Sequence, residues 1–144
     1  MLILGSFPST ASLAAQQYYA HPQNQFWRIL GAVLDQPLKE MDYADRIAAV
    51  QAAGIAVWDV FASCERAGSL DTAIRDAMRN PLAALQESAP ALRRICFNGR
   101  MAARRIREVE ALGFEALVLP STSPAHAGMS FAEKLARWRS ALRP

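Results

Sequence analysis

The first thirty residues hold the densest chemistry in the chain. Gly5-Ser6-Phe7-Pro8-Ser9 is followed by Tyr18-Tyr19-Ala20-His21-Pro22-Gln23-Asn24-Gln25-Phe26-Trp27, which puts six aromatic or imidazole rings between Phe7 and Trp27. Rings that face a cleft can stack on nucleic-acid bases, and main-chain amides beside small residues can hold phosphates. The plainer use of the same rings is to pack the loop on itself. Asn24 does not titrate in the range of interest, so it cannot serve as a general base. Its carbonyl can hold a water while its NH2 donates elsewhere, or it can cap a helix starting near Gln25. A second stretch, Ser121-Thr122-Ser123-Pro124-Ala125-His126-Ala127, offers hydroxyls and an imidazole.

Other chemistries are poorly served. His21, His126, Cys64 and Cys96 lack the spacing of metal ligands, so neither a metal nor any other cofactor is expected. The two cysteines read as buried thiols. Ser63, Cys64 and Glu65 have no histidine near them and make no nucleophilic triad. Lys39 and Lys134 are the only lysines, and neither falls in the two stretches. No Gly-rich phosphate fingerprint such as a P-loop is present, which ranks a small-molecule nucleotide or sugar enzyme low. The net charge of +3 is compatible with a polyanion partner without establishing one. Arg93, Arg94, Arg100, Arg104, Arg105 and Arg107 crowd one region, and Lys134, Arg137, Arg139 and Arg143 crowd another. Both read as solvated helix faces, with a phosphate contact conceivable near Arg100. No apolar run approaches a membrane span, and the opening residues lack the basic flank of a signal peptide. The expectation is a soluble, monomeric protein of the cytoplasm, in a bacterial cytosol or nucleoid.

These side chains need a frame. Leu2-Ile3-Leu4, Ile55-Ala56-Val57-Trp58, Arg94-Ile95-Cys96-Phe97 and Phe114 to Leu119 are short apolar runs stopped by Gly, Asp, Asn or Pro, and read as buried strands. Helical spacing appears near Ser12 to Gln17, then over Phe26 to Leu34, Asp45 to Ala53, Leu70 to Met78, Leu82 to Glu87, Gly99 to Leu112 and Ser130 to Leu142. Gly54 and Gly113 close two of these helices, and Ser130 with Glu133 has the spacing of a capping box. Strands alternating with helices, in a length suited to one domain over residues 1–144, predict a three-layer α/β/α sandwich around a four-stranded parallel sheet. Ligands of such folds lie outside the carboxyl ends of the strands. The loops after Leu4, Trp58, Phe97 and Leu119 should therefore share one rim, bringing the two chemical stretches together.

The two stretches together resemble the motifs of the uracil-DNA glycosylase superfamily. The residues from Gly5 to Ser9 and Tyr18 to Trp27 resemble its first motif, and Ser121 to Ala127 its second. The combination is most similar to the hypoxanthine-DNA glycosylase branch, and the order of elements fits over nearly the whole chain. The resemblance implies that Asn24 is the catalytic residue. It implies a base site from Phe7, Tyr19, Asp59 and Asn98, with Tyr19 stacking on the everted base and Asp59 at the strand end that reads its edge. It implies DNA contacts from Ser6, Ser9, Ser121, Ser123 and His126, where a positive imidazole is favoured by phosphate. Phe7 stands where classical members carry Asp or Asn, which leaves Asn24 as the only motif-borne catalytic candidate. Ala125 and His126 stand where classical members wedge a leucine into the duplex, and Ala125 is too small for that.

The implied activity is that of a monofunctional glycosylase in base excision repair, acting on DNA that contains a deaminated base. Hypoxanthine is favoured by the resemblance to the hypoxanthine-DNA glycosylase branch and by Asp59 standing where the classical uracil enzymes place an asparagine, whose amide would match both the N–H and the carbonyl of uracil. Uracil and xanthine are the other candidates. The absence of a lysine from both motifs implies hydrolysis that leaves an intact abasic site. The competing expectation is a catalytically weak lesion-binding protein of the same fold.

Overall fold

The computed structural model describes residues 1–5, 10–59, 61–63, 78–79 and 82–143. For residues 10, 11, 13, 59, 61–63 and 78–79 it describes the main chain alone. Ser6, Phe7, Ser9 and Cys64 lie outside the described residues, as does nearly all of the expected helix Leu70 to Met78.

Four parallel strands form the main sheet: β1 (Leu2–Gly5), β2 (Ala56–Asp59), β5 (Arg94–Asn98) and β6 (Glu115–Leu119), in the order β2-β1-β5-β6. Leu2 to Gly5 lies beside Ala56 to Asp59 on one side, and Leu2 to Leu4 beside Ile95 to Phe97 on the other. Between them come α1 (Thr10–Ala15), α2 (Phe26–Leu34), α3 (Tyr43–Ala52), α4 (Leu85–Ser88) and α5 (Ile106–Ala111), and α6 (Phe131–Leu142) follows β6. A short antiparallel pair, β3 (Phe61–Ser63) and β4 (Met78–Arg79), stands apart from the main sheet, so Met78 is in a strand where a helix end was expected.

Strand alternation sorts the core into two layers. Ile3 and Cys96 point to the side covered by Phe26, Ile29 and Leu30 of α2 and Trp138 and Leu142 of α6. Leu2, Leu4, Ile95 and Phe97 point to the other, against Leu82, Leu85, Ala102 and Val109. Burial on both faces is why these strands read as continuous apolar runs. Cys96 is a buried free thiol, and its burial pushes its pKa up to about 11.

The expected helix Gly99 to Leu112 is broken in two. A 3-10 turn over Ala102–Arg105 precedes α5, because Arg105 leaves helical geometry (φ −98°, ψ 15°). Its guanidinium turns back onto Glu108 at 2.6 and 2.7 Å, and Arg105 is buried rather than part of a solvated face.

The chain leaves β1 for β2 on one side and later crosses to β5 on the other. The strand order therefore reverses between β1 and β5, which is where a doubly wound sheet opens its ligand crevice. Gly5 and Asn98 end the two strands that flank that crevice.

Candidate functional site

The first loop reaches the crevice by a chain of fixed contacts. The Trp27 indole donates to the Tyr18 carbonyl at 3.0 Å, and the Tyr18 N–H donates to the Tyr43 hydroxyl at 3.1 Å. Tyr19 takes a left-handed backbone (φ 54°) and stacks on Phe26, ring centroids 3.9 Å apart. One face of the expected base platform is thus committed to the core. His21 accepts from the Gln23 N–H through Nδ1, and its carbonyl accepts from the Asn24 N–H. The imidazole shapes the turn that delivers Asn24.

Asn24 precedes the first turn of α2. Its Oδ1 accepts from the Phe26 N–H at 2.9 Å. Only the oxygen end of the amide can accept this bond, so the contact sets which way the side chain faces. The oxygen retains a second lone pair. The contact ties Asn24 to the first residue of α2 and leaves its amide N–H groups without a partner among the described residues.

Thr122 joins three segments, although sequence reasoning assigned it no role. Asn98 Nδ2 donates to Thr122 Oγ1 at 2.9 Å, and the Thr122 N–H donates back to Asn98 Oδ1 at 3.0 Å. The Thr122 carbonyl accepts from the Gln25 N–H at 3.0 Å. The fully buried Thr122 thus ties the tip of β5 and the loop after β6 to the residue next to Asn24. Asn98 was expected to address the base. Here both ends of its amide are engaged by Thr122, which makes it a brace between two strand tips.

Lys134 also departs from expectation. It reads as one of a solvated basic group, yet it is 2% exposed. Its Nζ donates to Gln25 Oε1 at 3.1 Å and to the His126 carbonyl at 2.8 Å. No carboxylate pairs with it among the described residues, and burial holds its pKa below the usual lysine range. The signal was in the spacing: Lys134, Trp138 and Leu142 recur every fourth residue and form the buried face of α6. Trp138 donates to the Pro120 carbonyl at 3.0 Å. Lys134 and Trp138 thereby hold the loop after β6 near both of its ends.

Within that loop, Ser121 Oγ accepts from the Ser123 N–H and Ser123 Oγ from the Ala125 N–H. Both hydroxyl protons have no acceptor among the described residues. Pro124, Ala125 and His126 are exposed. The turn after β5 is packed against the same loop. Gly99 has φ +91°, and a Cβ added there would meet Ser121 Cβ at 3.0 Å. The structure thus groups Asn24, Asn98, Ser121, Ser123 and His126 on one rim. Asp59 ends β2 beside Gly5 on that rim, with its main chain alone described. No group of three or more metal-ligating side chains occurs among the described residues, and no described helix is long and apolar enough to cross a membrane.

Comparison with known proteins gives a consistent picture. The family model described as the uracil DNA glycosylase superfamily matches residues 1–142. A Methanosarcina acetivorans protein named hypoxanthine DNA glycosylase is 39% identical over 143 residues, covering 99% of this chain and 90% of its own. A Methanosarcina barkeri protein of the same name is 38% identical over 126 residues, covering 88% and 80%. The solution NMR structure of a candidate uracil DNA glycosylase from Methanosarcina acetivorans superposes with a TM-score of 0.87 at 39% identity, covering 99% of this chain and 88% of that one.

Proposed function

The chain belongs to the uracil DNA glycosylase superfamily, and from that premise we propose that it is a monofunctional DNA glycosylase that everts and excises a deaminated base, hypoxanthine foremost. A base inside the duplex is out of reach, so the nucleotide must leave the stack, which costs a few kcal/mol and is easiest at a poorly paired lesion. Hypoxanthine opposite thymine pairs poorly and is favoured at that stage.

In the reaction the C1′–N bond breaks, and the base departs with the bonding electrons. Water supplies the oxygen that bonds to C1′ and yields a proton to the departing base or to solvent. Asn24 is the catalytic residue of this reading. Its Oδ1, oriented by the Phe26 N–H, has a lone pair left for that water. It contributes by position rather than by proton abstraction. The observation that carries the reading is the seating of this amide at the meeting point of the first loop and the loop after β6, joined by the bond from Gln25 N–H to the Thr122 carbonyl.

Phe7, Tyr19, Asp59 and Asn98 are assigned to the base, Asn98 being held by Thr122. Ser6, Ser9, Ser121, Ser123 and His126 are assigned to the DNA strand. The protein works as one domain and as a monomer in the cytoplasm, without a cofactor. An excision panel with hypoxanthine, uracil and xanthine duplexes, run on wild type and Asn24→Ala, tests the assignment. Hypoxanthine released fastest, and excision lost in the variant with DNA affinity retained, is the expected result. Normal turnover by Asn24→Ala ends the catalytic role, and uracil released faster than hypoxanthine ends the base preference. Binding by wild type without any cleavage turns the conclusion to a lesion-binding protein.

A further inference from the structure

On the outer side of the loop after β6, a recess of about 370 Å³ opens between the end of that strand, the turn after β5 and α6. Arg100, His126 and Arg137 line it together with Val118, Pro120 and Met129, and no carboxylate does. Neither Arg100 nor Arg137 lies within ion-pair distance of a carboxylate among the described residues, although Glu133, one turn before Arg137, feels its charge. The space exceeds that of several waters at about 30 Å³ each, enough for a phosphodiester with part of its sugar. Guanidinium groups match phosphate oxygens in pairs, and the exposed Val118 suits the carbons of a deoxyribose. Neither Asn24, Asn98 nor Tyr19 lines the recess, which is therefore distinct from the site assigned to the base.

We propose that this recess seats a backbone phosphodiester of the DNA outside the everted nucleotide, with Arg137 as the main cation and Arg100 beside it. The inference rests on the DNA reading above and adds a contact from α6, which neither motif includes. A phosphate contact is blind to sequence and to the lesion, and it releases counterions. Its signature is therefore a change in salt dependence shared by damaged and undamaged DNA.

Affinity for a plain duplex and for a hypoxanthine-containing duplex is measured across a salt series for wild type, Arg137→Gln, Arg137→Lys and Lys39→Gln. Lys39 is exposed in the turn that follows α2 and does not line the recess, so its variant removes one charge outside it. Arg137→Gln is expected to weaken both duplexes equally, by about fivefold to tenfold near 0.1 M salt, and to lower the salt slope by about one. Single-turnover excision at saturating enzyme stays at the wild-type rate, Arg137→Lys keeps the slope, and Lys39→Gln behaves as wild type. An Arg137→Gln slope equal to that of Lys39→Gln overturns the seat, as does a loss confined to the lesion duplex. If excision by wild type is normal in that case, the glycosylase reading stands and only the seat falls. A wild type that binds neither duplex and excises nothing overturns both.

Discussion

The two sides of the loop Ser121 to Gly128 are built on opposite principles. On the inner side the buried Thr122 and Lys134 and the half-buried Asn98 and Gln25 meet one another's hydrogen-bonding groups. On the outer side Arg100, His126 and Arg137 stand round an open recess. One helix supplies a cation to each side, Lys134 inward and Arg137 outward, three residues apart. The same charge type serves two ends. Where water is excluded, a cation fixes neighbouring acceptors at a desolvation cost. Where water has access, it stays available to a polyanion. Damage to the inner side should appear in rate and stability, and damage to the outer side in binding alone.

The sharpest test of this division pairs Asn24→Ala with Arg137→Gln. The first should lower single-turnover excision by at least about 100-fold while leaving DNA affinity nearly intact, since misplacing a reacting water by about 1 Å already has that effect. An Asn24→Ala loss confined to affinity would erase the distinction between the sides. Thr122→Val comes next. It removes the acceptor of the Asn98 amide inside a buried cluster and should cost about 1–3 kcal/mol of stability, read by urea denaturation, with a partial loss of excision. Full stability in that variant would mean that the brace is not holding the tips.

Lys134→Met separates charge from position. It relieves a buried ammonium but strands the Gln25 and His126 acceptors, so excision should fall more than stability does. The lysine's pKa is lowered in the folded state. Its desolvation penalty is therefore full below the folded pKa and is relieved as pH rises from there toward the ordinary lysine value. Wild type should gain stability relative to Lys134→Met over that alkaline window, and an opposite trend in melting temperature would contradict the burial. The smallest effect belongs to the cap that starts α6. Ser130 and Glu133 form a reciprocal capping box, and Ser130→Ala should cost about 1 kcal/mol. Hydrogen bonds from Ser130 lower the Glu133 pKa. The Glu133 contribution is complete above the ordinary carboxylate value and is lost as pH falls through the lowered one. The melting gap between wild type and Glu133→Gln should close in acid.

Much of the scaffold was legible because its two central strands are buried on both faces and its strands are stopped by Gly, Asp, Asn or Pro. The α6 cap was equally plain, since Ser130 and Glu133 satisfy a local rule. Failures came where a long-range partner overrode local type. Lys134 and Arg105 look solvated in any count of charges, yet one bonds to Gln25 and the other turns back on Glu108. The brace between Asn98 and Thr122, from a distant loop, was equally invisible to local rules. Asn24 was singled out by motif resemblance, while its contact with the Phe26 N–H required the structure to be seen.

The pairing of Leu2 with Ile95 has a kinetic consequence. The two central strands come from distant parts of the chain, and the site draws on residues 24, 98, 122 and 134. Little of it can form from local segments. Non-local pairing is slow to nucleate, and the rim exists only once both central strands have docked and α6 has closed over them. Partly folded chains, which would otherwise present rings and arginines to DNA, lack the aligned amide, so competence to cut should emerge as a late, all-or-none step of folding.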